Sequence, residues 1–92
     1  MILYAEVECM IYDAQSLKEK RSVLKRILHQ LDEPNLAAAE LDFQDLWQRT
    51  MIGVTSISQS SIQCERLIDQ AIHKLDHEST IEVTNIHKQW LG

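Results

Sequence analysis

The sequence predicts an α+β domain with the element order βαββαβ, and three observations carry that expectation. Apolar residues alternate with a period of two in four segments and recur at helical spacing in two others. Both helical segments open on a serine followed three residues later by Glu or Gln, the pairs Ser16–Glu19 and Ser60–Gln63. The single proline, Pro34, falls between periodic segments and not inside one.

The first strand is read over 2–12. Leu3, Ala5, Val7, Cys9 and Ile11 form a wholly apolar face, while Ile2, Tyr4, Glu6, Glu8, Met10 and Tyr12 form a mixed one. Asp13-Ala14-Gln15 is a short connection, and Ser16 caps a first helix whose apolar stripe is Leu17, Leu24, Ile27, Leu28 and Leu31. Asp32 to Asn35 ends it. The second strand is read over 36–43, with Ala37, Ala39, Leu41 and Phe43 facing one way and Ala38, Glu40 and Asp42 the other. Gln44 to Trp47 reverses the chain into a third strand over 48–58, in which Ile52, Val54 and Ser56 oppose Met51, Gly53, Thr55 and Ile57. Ser60 caps a second helix that buries Cys64, Leu67, Ile68, Ala71, Ile72 and Leu75, and a last strand follows over 80–88. Trp90-Leu91-Gly92 is a tail that docks or frays. Two right-handed crossovers around a central hairpin give a four-stranded antiparallel sheet of order 4-1-3-2 with both helices on one face, the ferredoxin-like split sandwich. All of residues 1–92 belong to one domain.

Composition narrows the function classes. Apolar residues make up 45% and charged residues 25% of the chain, ordinary globular values that exclude a disordered tail. The longest apolar stretch is far short of the ~20 residues a membrane span needs. No basic leader precedes an apolar run at the start, so no secretory signal is expected. Two cysteines 55 positions apart make no disulfide framework, which points to a reducing cytoplasm.

A net charge of −5 argues against general nucleic-acid binding, but the cations are not evenly spread. Lys18, Lys20, Arg21, Lys25 and Arg26 are five of the nine, opposed locally by Glu19 alone. In the expected topology the start of the first helix and the strand 2–3 reversal lie at the same end of the fold. Lys18, Lys20, Arg21 and Arg49 then share one pole with helix N-terminal amides, where anions are favoured. Gln44 and Gln48 add hydrogen-bonding groups there, and Trp47 adds a π-face on which a base can stack. Two readings of this pole remain open at the level of sequence. In one it contacts an anion or RNA phosphates. In the other it is structural: Asp45 pairs with Arg21 or Lys18, and Trp47 caps the core beneath the first helix.

The sheet face without helices carries Tyr4, Glu6, Glu8, Met10, Met51, Gly53, Thr55 and Ile57 at its centre. Two outward glutamates there repel phosphates, so base stacking on this face is not expected. Tyr4, Met10, Met51 and Ile57 suggest instead that a second copy covers it in a homodimer, the alternative to a monomer with scattered exposed apolar residues.

Catalysis is not expected. Cys9 and Cys64 fall on core faces and read as small hydrophobes. His73 and His77 stand one helical turn apart with Asp69 a turn earlier, but no third ligand of matching geometry is evident and the pair sits near an exposed helix end, so no metal is expected. No glycine-rich phosphate loop, nucleophile elbow or paired-cysteine motif occurs, and no cofactor is implied.

Two stretches carry a family likeness, Asp13-Ala14-Gln15-Ser16-Leu17-Lys18-Glu19-Lys20-Arg21-Ser22 and Glu40-Leu41-Asp42-Phe43-Gln44-Asp45-Leu46-Trp47-Gln48-Arg49. Together with Val7 to Tyr12 they resemble the YlxP-like family, small bacterial proteins classed as a domain of unknown function. The likeness runs over essentially the whole chain. It implies a ferredoxin-like fold, a cytoplasmic location and, from gene neighbours concerned with translation initiation, a place near the ribosome or RNA. Members of the family often carry His where Phe43 stands, so no acid–base role is carried to that position, and the resemblance assigns no catalytic residue.

Overall fold

A computed structural model describes all of residues 1–92. The elements follow the expected order: β1 Ile2–Ile11, α1 Leu17–Gln30, β2 Leu36–Asp42, β3 Arg49–Ile57, α2 Ser61–Asp76 and β4 Ile81–Trp90. The strands pair antiparallel in the order β2-β3-β1-β4, the topology read from the sequence.

The period-two pattern of β1 sets the layers. Ala5, Val7 and Cys9 are fully buried and Leu3 and Ile11 nearly so; with Ile52 and Val54 of β3 they face Leu24 and Ile27 of α1 and Cys64, Ile68, Ala71 and Leu75 of α2 in one continuous core. Both helices therefore lie on one face. Each fully buried aliphatic side chain contributes about 1.5–3 kcal/mol from area removed from water. The opposite face is open and carries the mixed set. The register places Tyr4 opposite Thr55, Glu6 opposite Gly53, Glu8 opposite Met51 and Met10 opposite Arg49.

The helix starts divide unequally. Ser16 accepts from the Glu19 amide at 3.1 Å, and the Glu19 carboxylate accepts from the Gln15 amide at 2.7 Å, a capping box whose returning bond falls one residue before the cap. At α2 Ser60 accepts from the Gln63 amide at 3.3 Å, but no bond returns from the Gln63 side chain.

Two features differ from the sequence reading. β4 runs past its expected end at 88 to Trp90, and of the two outcomes left open for the tail it docks. Trp90 pairs with Leu3, the Leu91 amide donates to the Ile2 carbonyl at 2.8 Å, and the Ile2 amide donates to Gly92 at 2.7 Å. The first residues of β1 leave backbone groups that need partners, and the tail supplies them. In β2 the alternation holds only to Glu40. A bulge between Glu40 and Asp42 shifts the register, and Leu41 rests over Gly53, where an added Cβ would approach Leu41 Cγ to 2.9 Å. Gly53 is thus required by a close approach. Ala38 and Glu40, opposite buried Val54 and Ile52, face the helices, which puts a carboxylate against the core.

Candidate functional site

That carboxylate decides what the basic pole is. Lys20 was expected among the exposed cations, yet it is 1% exposed. Its ammonium lies 3.1 Å from Glu40 Oε2 and also donates to the Phe43 carbonyl. Thr50, itself fully buried, donates to the same Glu40 oxygen at 2.6 Å. The correction has a clear physical reason: β2 turns Glu40 inward, and a carboxylate facing the core requires a cation beside it. Lys20 sits one turn before Leu24 on the inner side of α1 and meets that need.

Phe43 is strained. It holds φ at 64°, in the left-handed region that bulky residues avoid. Its carbonyl is tied to Lys20, and its ring lies 3.9 Å beneath the Arg49 guanidinium carbon. Arg49 also bonds Glu8 at 3.1 Å. Because Arg49 stands opposite Met10, its side chain lies on the open sheet face, with the sheet between it and α1.

The start of α1 and the strand 2–3 reversal do meet as expected, since Lys20 reaches the hairpin across 23 positions. The four cations do not form one surface. Lys20 is internal, Arg49 is on the opposite face, and only Lys18 and Arg21 remain exposed in the helix layer. At the helix N-terminus Ser16 takes the Glu19 amide, and the Glu19 carboxylate beside it disfavours a further anion there.

The structural alternative for this pole fares no better in its details. Asp45 forms no ion pair with Arg21 or Lys18 (the five ion pairs of the molecule lie elsewhere). Trp47 does not cap the core and is half exposed at 50%. Gln44 and Gln48 are exposed beside it. The reversal folds toward the open face, where Asp45 to Arg49 with Glu8, Met10 and Thr84 line a shallow groove of about 850 Å³.

One feature was missed as a pattern in the sequence. Lys20, Arg26, Arg49, Lys74 and Lys88 each pair with an internal carboxylate. Of the four cations left, Lys18, Arg21 and Lys25 stand on α1 and are all exposed. At 3.6 residues per turn they fall within a sector of about 60° and span about 10 Å of helix. The i, i+3, i+7 spacing was the available signal, obscured by two other cations in the same run that turn elsewhere.

On the open face Met10 and Ile57 are exposed, while Tyr4 and Met51 are half-buried. Partial desolvation first, and the Glu6 carboxylate second, push the Tyr4 phenol above its ordinary pKa. Cys9 and Cys64 are both buried free thiols, and burial, followed by Glu8 and Asp76, pushes Cys9 up to about 12. His73 and His77 stack with ring centroids 3.9 Å apart, and Asp69 is engaged by Lys88 at 2.9 Å. No helix is long and apolar enough to cross a membrane.

Comparison with known proteins gives two matches. A family model described as "Protein of unknown function (DUF503)" matches residues 2–88. The "Uncharacterized protein YlxP" of Bacillus subtilis (strain 168) is 44% identical over 91 residues, covering 98% of this chain and 99% of that relative.

Proposed function

The chain belongs to the DUF503 family, whose description assigns no activity, and from the chain's own residues we propose that it is a non-enzymatic, cytoplasmic RNA-binding module that contacts phosphates through α1. One observation carries the reading: Lys18, Arg21 and Lys25 are exposed on one face and form no internal ion pair, in a chain whose other cations are mostly spent inside. Arg presents a planar fork and Lys a mobile point charge, a combination suited to phosphate oxygens without base readout. Trp47, Gln48 and Arg49 of the original cluster drop out of this contact because they line the groove on the other face, and Gln44 is an exposed residue of the reversal. Two buried thiols fit a reducing compartment.

Three phosphate contacts on a single strand give a log–log salt slope of about −2. Binding of an unstructured homopolymer RNA is measured against salt for the native chain and for the Lys18→Ala/Arg21→Ala/Lys25→Ala variant. Loss of binding and of the slope in the variant supports the reading; equal affinity and slope overturn it.

A homodimer through the open face is the competing reading, favoured by exposed Met10 and Ile57 beside half-buried Tyr4 and Met51. Sedimentation equilibrium separates the two, since a stable dimer vanishes in a Met10→Ser/Ile57→Ser variant while α1 is untouched.

A further inference from the structure

We propose that the groove at the hairpin end of the open sheet face docks a cationic polypeptide segment of another protein, seating an apolar side chain against Trp47 and Leu46. This surface is separate from α1, and the proposal stands whether or not α1 binds RNA.

The groove joins two properties that seldom coincide without a partner. Its floor and wall expose Met10 at 40%, Leu46 at 47% and Trp47 at 50%, large apolar side chains brought together from β1 and the reversal. Its rim is acidic. Asp45 has no ion-pair partner, and Glu8 gives one oxygen to Arg49 and keeps the other. Arg49 is the groove's one cation, and Glu8 already engages it. Glu6 adds a further carboxylate along the same face of β1. An exposed indole beside Asp45 and the spare oxygen of Glu8 suits a segment that offers Lys or Arg to the carboxylates and a neighbouring apolar side chain to the ring.

The receiving surface is preorganised, which lowers the ordering cost of binding. The Leu46 amide donates to the Phe43 carbonyl at 3.0 Å, the Ile11 amide donates to Gln48 at 2.9 Å, and the Asp42 carboxylate accepts from the Phe43 amide at 2.8 Å. Lys20 anchors the same carbonyl from beneath.

Charge selects the occupant. A nucleic acid brings phosphates onto Glu6, Glu8 and Asp45, and a second copy brings a face of the same net negative charge against them. A basic peptide is the class that neutralises the rim while covering the indole.

The probe is a short, blocked peptide alternating lysine and leucine, with an alternating glutamate–leucine peptide as its counterpart. Trp90→Phe leaves Trp47 as the sole emitter, since the chain has two tryptophans. The expected result is a saturable change in Trp47 emission with the basic peptide alone, with amide shifts mapping to Glu8, Met10 and residues 45–49. Asp45→Asn, an exposed and unpaired site, weakens binding by up to about five-fold. Trp47→Ala, followed by the amide shifts, weakens it by about ten-fold or more. The Lys18→Ala/Arg21→Ala/Lys25→Ala variant binds the peptide as the native chain does. No response to the basic peptide, an equal response to the acidic one, shifts confined to α1, or a dimer that already covers Trp47 each overturn the proposal.

Discussion

The Lys20–Glu40 pair gives the most direct test of how this fold is held together. With Lys20 at 1% exposure and the Glu40 side chain at 17%, the two charges share little water. Replacing Lys20 by Met keeps the side chain's length but leaves Glu40 facing the core with Thr50 as its remaining donor and the Phe43 carbonyl with none from below. Removing one partner of such a pair costs about 3–5 kcal/mol, against a total stability of roughly 5–15 kcal/mol for a domain. For a chain of this size that is a fall in Tm of about 12–24 °C at the lower figure. Glu40→Leu alone strands the ammonium and costs as much. The double variant Lys20→Met/Glu40→Leu removes both charges, leaving the Phe43 carbonyl and the Thr50 hydroxyl to account for a loss of about 1–3 kcal/mol. The two single losses therefore exceed the double loss by about 3 kcal/mol or more. Urea unfolding followed by far-UV circular dichroism measures all four chains at comparable slope. Single losses below about 1 kcal/mol that simply add refute the reasoning, because that is how an exposed pair behaves.

Ser16→Ala removes the Glu19 amide's acceptor and leaves half of the capping box, so urea unfolding detects a loss of about 1 kcal/mol. Gly53→Ala destabilises the native chain by forcing Leu41 aside, but in a Leu41→Ala background the same substitution stabilises by about 0.4–1 kcal/mol through the unfolded state; thermal melts of both pairs check the sign. A thiol reagent at mildly alkaline pH labels Cys9 and Cys64 only as fast as the chain unfolds, because both are buried. Cys9 is raised above its ordinary value, so its neutral form contributes stability that is fully present below that ordinary value and lost as pH rises towards about 12. The Tyr12 hydroxyl donates to Glu82 at 2.6 Å, and that bond, ahead of desolvation and charge, raises its pKa. Ultraviolet titration therefore finds a phenolate that forms late in the native chain and earlier in Glu82→Ala.

The fold was legible because every strand and helix carried its own period, and topology followed from connection lengths. The pole was only half legible. Chain direction brought the start of α1 and the strand 2–3 reversal together correctly, as the Lys20–Phe43 bond attests. What sequence periodicity did not reveal was the bulge after Glu40 and the left-handed φ of 64° at Phe43. Neither segment contains a glycine or proline of its own, the residues that usually announce such turns, and the one glycine concerned, Gly53, lies on the facing strand. Those two local departures send the reversal over the open face, whereas Lys20 is turned inward by the rotation of α1 and Arg49 is carried away from α1 by the alternation of β3, both of which the sequence did contain. A cation run such as Lys18 to Arg26 is therefore poorly read as a block, since helical rotation sends its members to different sides within one turn.

The consequence is a domain with segregated charge, not a diffuse acidic one. The helix layer keeps unpaired cations along one side of α1, and the open sheet face keeps Glu8 and Asp45 beside exposed Trp47, with Glu6 farther along β1. Screening over about 8–10 Å at physiological salt lets the two faces act on partners independently, so the net charge of −5 is a poor guide to either. The sheet and core between them are fixed by the same residues that set the hairpin. Variants on α1 and variants in the groove are therefore expected to alter their own contacts additively, and a thermodynamic cycle between Lys25→Ala and Asp45→Asn with both ligands present reads that independence directly. A coupling well above about 0.5 kcal/mol would mean that one face, and not two, carries the protein's interactions.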